Sequence, residues 1–227
     1  MDNAVALVQA YLRVNGYFTV TEYPVVEVTR GRNYRTATDL DLLAFRFPHA
    51  GRLVPARGQR AGADEMQHTV VDPALDVPVG IGDMLVGEVK EGRGVLNAAT
   101  TDPAVLRAAL VRFGCCSRED APSLVDTLVR DGQTVLPAGH RIRIAIFGST
   151  TAGLAGGKYL AISLGHIIDF LQRFLREHWD VLRQAEYKDP AFGFLVLLEK
   201  ALPRTTSEAE GRAAPDATTD TETRARG

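Results

Sequence analysis

Two short apolar segments of this chain carry ionisable residues at positions where a buried β-strand is expected. The first holds Asp39 and Asp41 among leucine and alanine, and the second holds Glu88 and Lys90 among valine and glycine. Side chains two positions apart on a strand share a face, so each segment presents its two charged residues together. If the two strands are neighbours in one sheet, Asp41, Glu88 and Lys90 converge on one place.

Ionised groups on interior strands cost free energy unless they are paired or bind a metal ion, and adjacent carboxylates raise each other's pKa unless a cation lies between them. Mg²⁺ suits this position, because it often uses one or two carboxylates together with water and substrate phosphate. Such an ion polarises a phosphoryl oxygen and lowers the pKa of a bound water, which Lys90 could orient. The alternative is a surface ion pair between Glu88 and Lys90, with Asp39 and Asp41 on a solvated face.

Lysine is rare in this chain, which has 22 arginines and four lysines. A cation without a special role at position 90 would therefore more often be arginine. The choice of Lys90 indicates either a compact point charge or an amine whose pKa is shifted.

The rest of the folded region, residues 1–202, alternates helix and strand patterns. A helix is predicted from a cap at Asn3 to Asn15, followed by a hairpin of two strands in which Pro24 indicates an edge or a bulge. The later predicted elements are a strand at 84–90, helices at 103–114 and 117–132, strands at 141–147 and 159–163, a helix at 163–184 and a final segment at 192–202. This order predicts an α/β fold with a central mixed β-sheet flanked by helices.

Two segments lack these patterns. Residues 48–83 contain several prolines and glycines with little periodicity, and we interpret them as a long irregular insertion. Residues 203–227 have alanine as their only apolar side chain, which predicts a disordered tail. No signal peptide or membrane-spanning stretch is recognisable, so a cytoplasmic protein without membrane contact is expected.

The order of helix, strand, aspartate-bearing strand, Glu-x-Lys strand and helix resembles the PD-(D/E)xK, or restriction-endonuclease-like, nucleases. Within that superfamily, Asp-Leu-Asp-Leu-Leu-Ala followed by Val-Gly-Glu-Val-Lys is similar to the Holliday-junction-resolvase and restriction-like branches. The resemblance covers about residues 3–165. It requires the insertion to loop out, because 47 positions separate Asp41 from Glu88 (88 − 41).

This resemblance implies a nuclease that hydrolyses DNA phosphodiester bonds with Mg²⁺, for which Mn²⁺ can substitute. Asp41, Glu88 and the Val89 carbonyl would hold the ion, and Lys90 would assist the attacking water. Many relatives act as dimers, so a homodimer is one option, although the sequence shows no clear dimer seam. The alternative function is a non-catalytic module of the same architecture that binds DNA or a protein partner.

Positive charge is concentrated before the insertion and within it, although the formal net charge of the chain is −2. From Arg30 to Arg60 there are seven arginines against two aspartates, a local net charge of +5 (7 − 2). This distribution favours capture of a phosphate backbone, or else reflects an arginine-rich composition on a solvated hairpin. No pattern that reads base edges is recognisable. The residues predicted to bind nucleic acid are Arg30, Arg32, Arg35, Arg57 and Arg60.

Other polar features receive structural interpretations. The glycine-rich segment ending at Lys158 lacks the Ser or Thr that follows the lysine of a phosphate-binding loop, so a flexible hairpin connection is predicted. Cys115 and Cys116 are interpreted as small buried hydrophobic residues and His166 as a structural histidine. Asp83 is interpreted as a turn residue rather than as an extra carboxylate of the site.

Overall fold

A computed structural model of the chain describes residues 2–28, 31, 33–50, 71–154, 156–182 and 188–201. The helices and strands follow one another in nearly the predicted order. They are α1 (Asn3–Val14), β1 (Tyr17–Val28), β2 (Tyr34–Arg46), β3 (Asp83–Arg93), α2 (Pro103–Arg112), α3 (Ala121–Asp131), β4 (Gln133–Val135), β5 (Arg141–Thr150), β6 (Leu160–Ser163), α4 (Leu164–Glu177), α5 (Trp179–Leu182) and α6 (Pro190–Ala201). Short 3-10 helices span Pro73–Leu75 and Ala98–Thr101.

The six strands form one mixed sheet in the order β1-β2-β3-β5-β4, and β6 also pairs with β5. The β1/β2, β2/β3 and β4/β5 pairs are antiparallel. The β3/β5 and β5/β6 pairs are parallel. The prediction of an α/β fold with a central mixed sheet is therefore confirmed.

Alternation along the central strands gives the sheet two buried faces. Leu42 and Leu85 belong to the core that contains side chains of α1, α4 and α6. Leu43 and Val86, each one position later, belong to the core that contains side chains of α2 and α3. Helices therefore cover both sides of the sheet. A charged side chain on β2 or β3 must either be buried between these apolar layers or lie where the layers end.

Strand β1 lies at the edge of the sheet, as Pro24 predicts. Its register with β2 shifts between Val25 and Val26. Proline has no N–H to donate to a ladder, so it is tolerated at an edge or a bulge, and here it lies next to both.

The ends of two helices differ from the prediction. The cap of α1 is Asp2, whose carboxylate accepts the Ala4 N–H at 2.8 Å, and Asn3 is already helical. Ser163 caps α4 as predicted, by accepting the His166 N–H at 3.1 Å. The continuous helix predicted to residue 184 is wrong, because His178 leaves the helical conformation (φ −111°, ψ 21°) after α4 ends at Glu177.

The predicted hairpin around Lys158 is also wrong, because the strands on either side of this connection run parallel. The Lys158 ammonium donates to the carbonyl of Val129 at 2.8 Å, near the end of α3, where a cation is favourable. Gly132 (φ 76°) follows α3, and a Cβ there would lie 2.1 Å from the Lys158 carbonyl oxygen. The glycine-rich segment therefore serves helix termination in this structure.

Parts of the predicted organisation fall outside the described residues, namely the tail at 203–227 and positions 51–70 of the insertion. The last part of the insertion is described and is irregular apart from the 3-10 helix at Pro73–Leu75. Within the described residues, no helix has the length and apolar character needed to cross a membrane.

Candidate metal centre

The register of β2 and β3 brings the predicted site residues together. Leu42 pairs with Gly87, so the next step of this antiparallel register places Asp41 across from Glu88. The Lys90 Nζ atom lies 3.8 Å from Asp41 Oδ2 and also forms an ion pair with Glu88 Oε1. Three ionisable side chains from segments far apart in the chain therefore share one location.

Asp41 is held where the pairing of β2 with β3 stops. Its Oδ2 atom accepts the Val89 N–H at 2.8 Å, so a side chain takes the place of a backbone acceptor. Burial raises the Asp41 pKa above its ordinary value, and the charge of Glu88 raises it further. The Val89 N–H and the Lys90 ammonium act in the opposite direction without cancelling these effects. The Val89 N–H and the Lys90 ammonium therefore do not fully compensate the negative charge of ionised Asp41.

Glu88 is a buried carboxylate, with a relative exposure of 3%. Its Oε2 atom accepts the hydroxyl of Thr100, which lies on the 3-10 helix just before α2. Its other oxygen pairs with Lys90. Sequence reasoning missed Thr100, since a threonine 12 positions after Glu88 gives no local signal of the contact.

The Lys90 ammonium is protonated at neutral pH. Burial alone would lower its pKa, but the hydrogen bond to Glu88 and the charges of Glu88 and Asp41 outweigh burial and raise the pKa. Of the two roles left open above, this direction favours the compact point charge. Lys90 can therefore donate hydrogen bonds and stabilise negative charge, and it is not suited to accept a proton.

Asp41 and Lys90 border a cavity of about 570 Å³, whereas the buried Glu88 does not line it. Among the residues that the structure describes, five carboxylates and one ammonium line it, and together their field favours cations and repels anions. One of the carboxylates is Asp2, the cap of α1. The lining residues are Asp2, Val5, Glu22, Asp39, Asp41, Val89, Lys90 and Glu91.

Glu22 is a second carboxylate that the sequence analysis did not identify. The β1/β2 register pairs Thr21 with Leu42 and Tyr23 with Leu40, so Glu22 lies across from Asp41. Its φ of 52° is in the left-handed region, which costs a non-glycine residue free energy. Glu22 and Asp41 therefore lie on neighbouring strands and line the same cavity.

The donor set fits Mg²⁺ better than an ion that needs a complete protein cage. In the part of the chain that the structure describes, no three His, Cys, Asp or Glu side chains are arranged to hold a metal ion. Mg²⁺ commonly takes one or two carboxylates and keeps several waters or phosphate oxygens. Asp41 and Glu88 are two carboxylates that could serve such an ion, and both oxygens of Glu88 already have partners in Lys90 and Thr100.

The predicted nucleic-acid-binding arginines are only partly described. Arg35 lies on the exposed β1/β2 hairpin and pairs with Glu27 at 2.5 Å. The other four, Arg30, Arg32, Arg57 and Arg60, lie outside the described residues. Arg46, from the same basic stretch, is buried and donates to the backbone carbonyl of Asn15 at 3.0 Å. Arg46 is therefore a structural residue.

Asp83 requires a correction, because it is not a turn residue. It is the first residue of β3 and is fully buried. Its carboxylate accepts hydrogen bonds from the Tyr17 hydroxyl at 2.6 Å, from Arg141 at 3.1 Å and from Arg143 at 2.5 Å. The carboxylate of Asp83 therefore belongs to a closed polar network, separate from the residues that line the acidic cavity.

The remaining polar candidates have structural environments. His166 lies 2.7 Å from the buried carboxylate of Asp72, which also accepts the Tyr11 hydroxyl at 2.8 Å. Cys115 is partly buried, with its sulfur 3.4 Å from that of Met84. Burial raises the pKa of Cys115 to about 11, so its thiol is a poor nucleophile at neutral pH.

Comparison of the chain with protein-family models, with curated proteins and with solved structures gives no match.

Proposed function

We propose that this protein is a divalent-metal-dependent nuclease that hydrolyses DNA phosphodiester bonds, with the restriction-endonuclease-like architecture that its sequence resembles. The observation that carries the proposal is the grouping of Asp41, Glu88 and Lys90 on two adjacent strands: Asp41 and Lys90 line one acidic cavity, and the buried Glu88 forms an ion pair with Lys90. The resemblance assigns metal binding to Asp41 and Glu88 and assistance of the attacking water to Lys90. The order of α1, β1, β2 and β3 supports the same assignment.

In this proposal Asp41 and Glu88 bind the ion, together with the carbonyl of Val89. Mg²⁺ supplies Lewis-acid activation of the phosphate and a more acidic bound water. Lys90 positions the attacking water and stabilises the negative charge that develops on the phosphate. Thr100 keeps the Glu88 carboxylate oriented through its hydroxyl hydrogen bond. Asp41 is oriented in the same way by the Val89 N–H.

The charge of the cavity predicts strict metal dependence. With five carboxylates and a single ammonium at its wall, the cavity repels a phosphodiester unless cations compensate the excess charge. The same charge argues against a site that binds an anion directly.

The test is cleavage of a panel of DNA substrates (supercoiled, linear duplex, single-stranded and four-way branched) with Mg²⁺, Mn²⁺ or chelator. We expect cleavage of at least one form with metal, none with chelator, and a loss of at least about 100-fold in Glu88→Gln, which removes a metal ligand. Lys200→Ala, an exposed lysine on α6, is the matched control and should retain activity. Absence of cleavage of every form by the wild-type protein would contradict the proposal. Salt-sensitive DNA binding unaffected by Lys90→Ala would then favour the non-catalytic module.

A further inference from the structure

A second charged surface lies on α2 and the turn that follows it. From Pro103 to Arg118 the chain contains three arginines and no aspartate or glutamate. Arg107 and Arg112 belong to α2, and Arg118 precedes α3. All three line one cavity of about 400 Å³ with Ala108, Val111 and Ala121, and we call this set the arginine surface.

The positive charge of the arginine surface is not neutralised by ion pairs. Arg107, Arg112 and Arg118 form no ion pair with any other residue that the structure describes. Other surface arginines do form them. Those pairs are Arg13 with Asp189 at 3.1 Å, Arg130 with Asp131 at 2.8 Å and Arg176 with Glu199 at 3.1 Å.

Neither arginine of α2 belongs to the buried side of this helix. The inner side of α2 is buried in the core it shares with β3 and α3, through Val105, Leu106, Ala109 and Leu110. Arg112 is exposed and Arg107 is half-buried.

The arginine surface lies on the same side of the sheet as Glu88. Side chains at even positions of β3 share a face, and Met84 and Val86 belong to the core that contains α2. Glu88 continues that row, and its partner Thr100 lies two residues before the cap of α2, Asp102. The N-terminal end of α2 therefore lies near Glu88.

We propose that the arginine surface binds the phosphate backbone of DNA and holds the substrate that the acidic cavity cuts. This inference rests on the proposed nuclease function for the identity of the polyanion. It assigns backbone binding to arginines other than the five predicted from the sequence. Of those five only Arg35 is described, and it is already paired with Glu27. Guanidinium groups bind phosphate oxygens without regard to sequence, so the surface contributes affinity rather than base specificity.

The test compares two triple variants that remove the same charge. The first is Arg107→Gln, Arg112→Gln and Arg118→Gln. The matched control is Arg13→Gln, Arg130→Gln and Arg176→Gln, which removes three arginines that already have carboxylate partners. Binding of a fluorescent DNA duplex is measured by anisotropy in chelator over a range of salt concentrations, so that no cleavage occurs.

We expect the first variant to bind DNA at least about tenfold more weakly than the wild type. The slope of its log affinity against log salt concentration should be smaller in magnitude than that of the wild type by about 2.7, or about 0.9 for each of the three lost phosphate contacts. The control should remain within about twofold of the wild-type affinity. Equal affinity of the first variant and the wild type would overturn the proposal, as would an equal loss in both variants. A failed cleavage assay with normal arginine-dependent binding would contradict only the nuclease function, which keeps the two outcomes separate.

Discussion

The two ends of the buried part of β3 place carboxylates in opposite surroundings. At the start of the strand, Asp83 is fully buried and receives hydrogen bonds from two guanidinium groups and a phenol. Five residues later, Glu88 and its neighbour Asp41 share a single ammonium, that of Lys90. At the first end two arginines balance Asp83 and Asp76, whereas the described residues at the second end have excess negative charge and border a cavity.

This contrast distinguishes Asp83, a carboxylate with a structural role, from Asp41 and Glu88, which are candidates for function. A protein stabilises a buried carboxylate by surrounding it with donors, as it does at Asp83. At Asp41 the donors are insufficient, and its pKa stays raised because burial and Glu88 outweigh the Val89 N–H and Lys90. Perturbed carboxylates that border a cavity are typical of sites where a further cation binds. The following three predictions test this difference between the two ends.

The largest expected effect is at the closed end. Asp83→Ala leaves Arg143, which is buried, without its carboxylate, and should lower the free energy of unfolding by about 3–5 kcal/mol in urea denaturation. Asp131→Ala removes an exposed ion pair with Arg130 and should cause no measurable change. Similar stability of Asp83→Ala and the wild type would show that the network at this end is not a structural anchor.

The second prediction concerns the open end and metal binding. Mg²⁺ at about 100 times its dissociation constant should raise the free energy of unfolding by about 2.7 kcal/mol, because it binds the folded state. Thermal unfolding with and without Mg²⁺ measures this effect. Asp41→Asn or Glu88→Gln should abolish the increase, while Asp131→Asn should retain it. An equal Mg²⁺ effect in all four proteins would mean that the ion binds elsewhere.

The smallest expected effect is a pH dependence due to Asp41. Because its pKa is raised in the folded state, that state binds the proton more tightly than the unfolded chain does. In chelator, the contribution of Asp41 to the free energy of unfolding should therefore decline as pH rises from the ordinary pKa of the unfolded chain to the raised pKa of the folded state. Asp41→Asn should lose this decline and so gain stability relative to the wild type from acidic to neutral pH. Parallel stability curves for the two proteins, measured by urea denaturation, would contradict the pKa direction.

The open end was largely predictable from the sequence, because its signal is local. Asp41, Glu88 and Lys90 interrupt apolar strand patterns, although the alternation breaks at Asp41, where Leu40 and Leu42 belong to opposite cores. Their convergence also required β2 and β3 to be neighbours, which their register confirms. Glu22 was not predictable, since its place beside Asp41 depends on the β1/β2 register and on a left-handed backbone conformation.

The closed end was mispredicted because its partners are remote. Asp83 is followed by a strand and preceded by glycines, which is typical of a turn, and its arginine partners lie about 60 residues later on β5. The parallel β5/β6 pairing was missed for a similar reason, since a short connection between two strands favours a hairpin. Strand β4 has three residues, too few to show alternation.

The most direct test of the central claim is the single-turnover rate of DNA cleavage by Lys90→Ala in saturating Mg²⁺, with DNA binding measured on the same sample. If Lys90 acts at the reacting phosphate, the rate should fall by at least about 100-fold while DNA affinity and thermal stability stay near those of the wild type. A variant that cleaves DNA as fast as the wild type would contradict the account, because the one ammonium among the described residues that line the acidic cavity would then have no role in the chemistry.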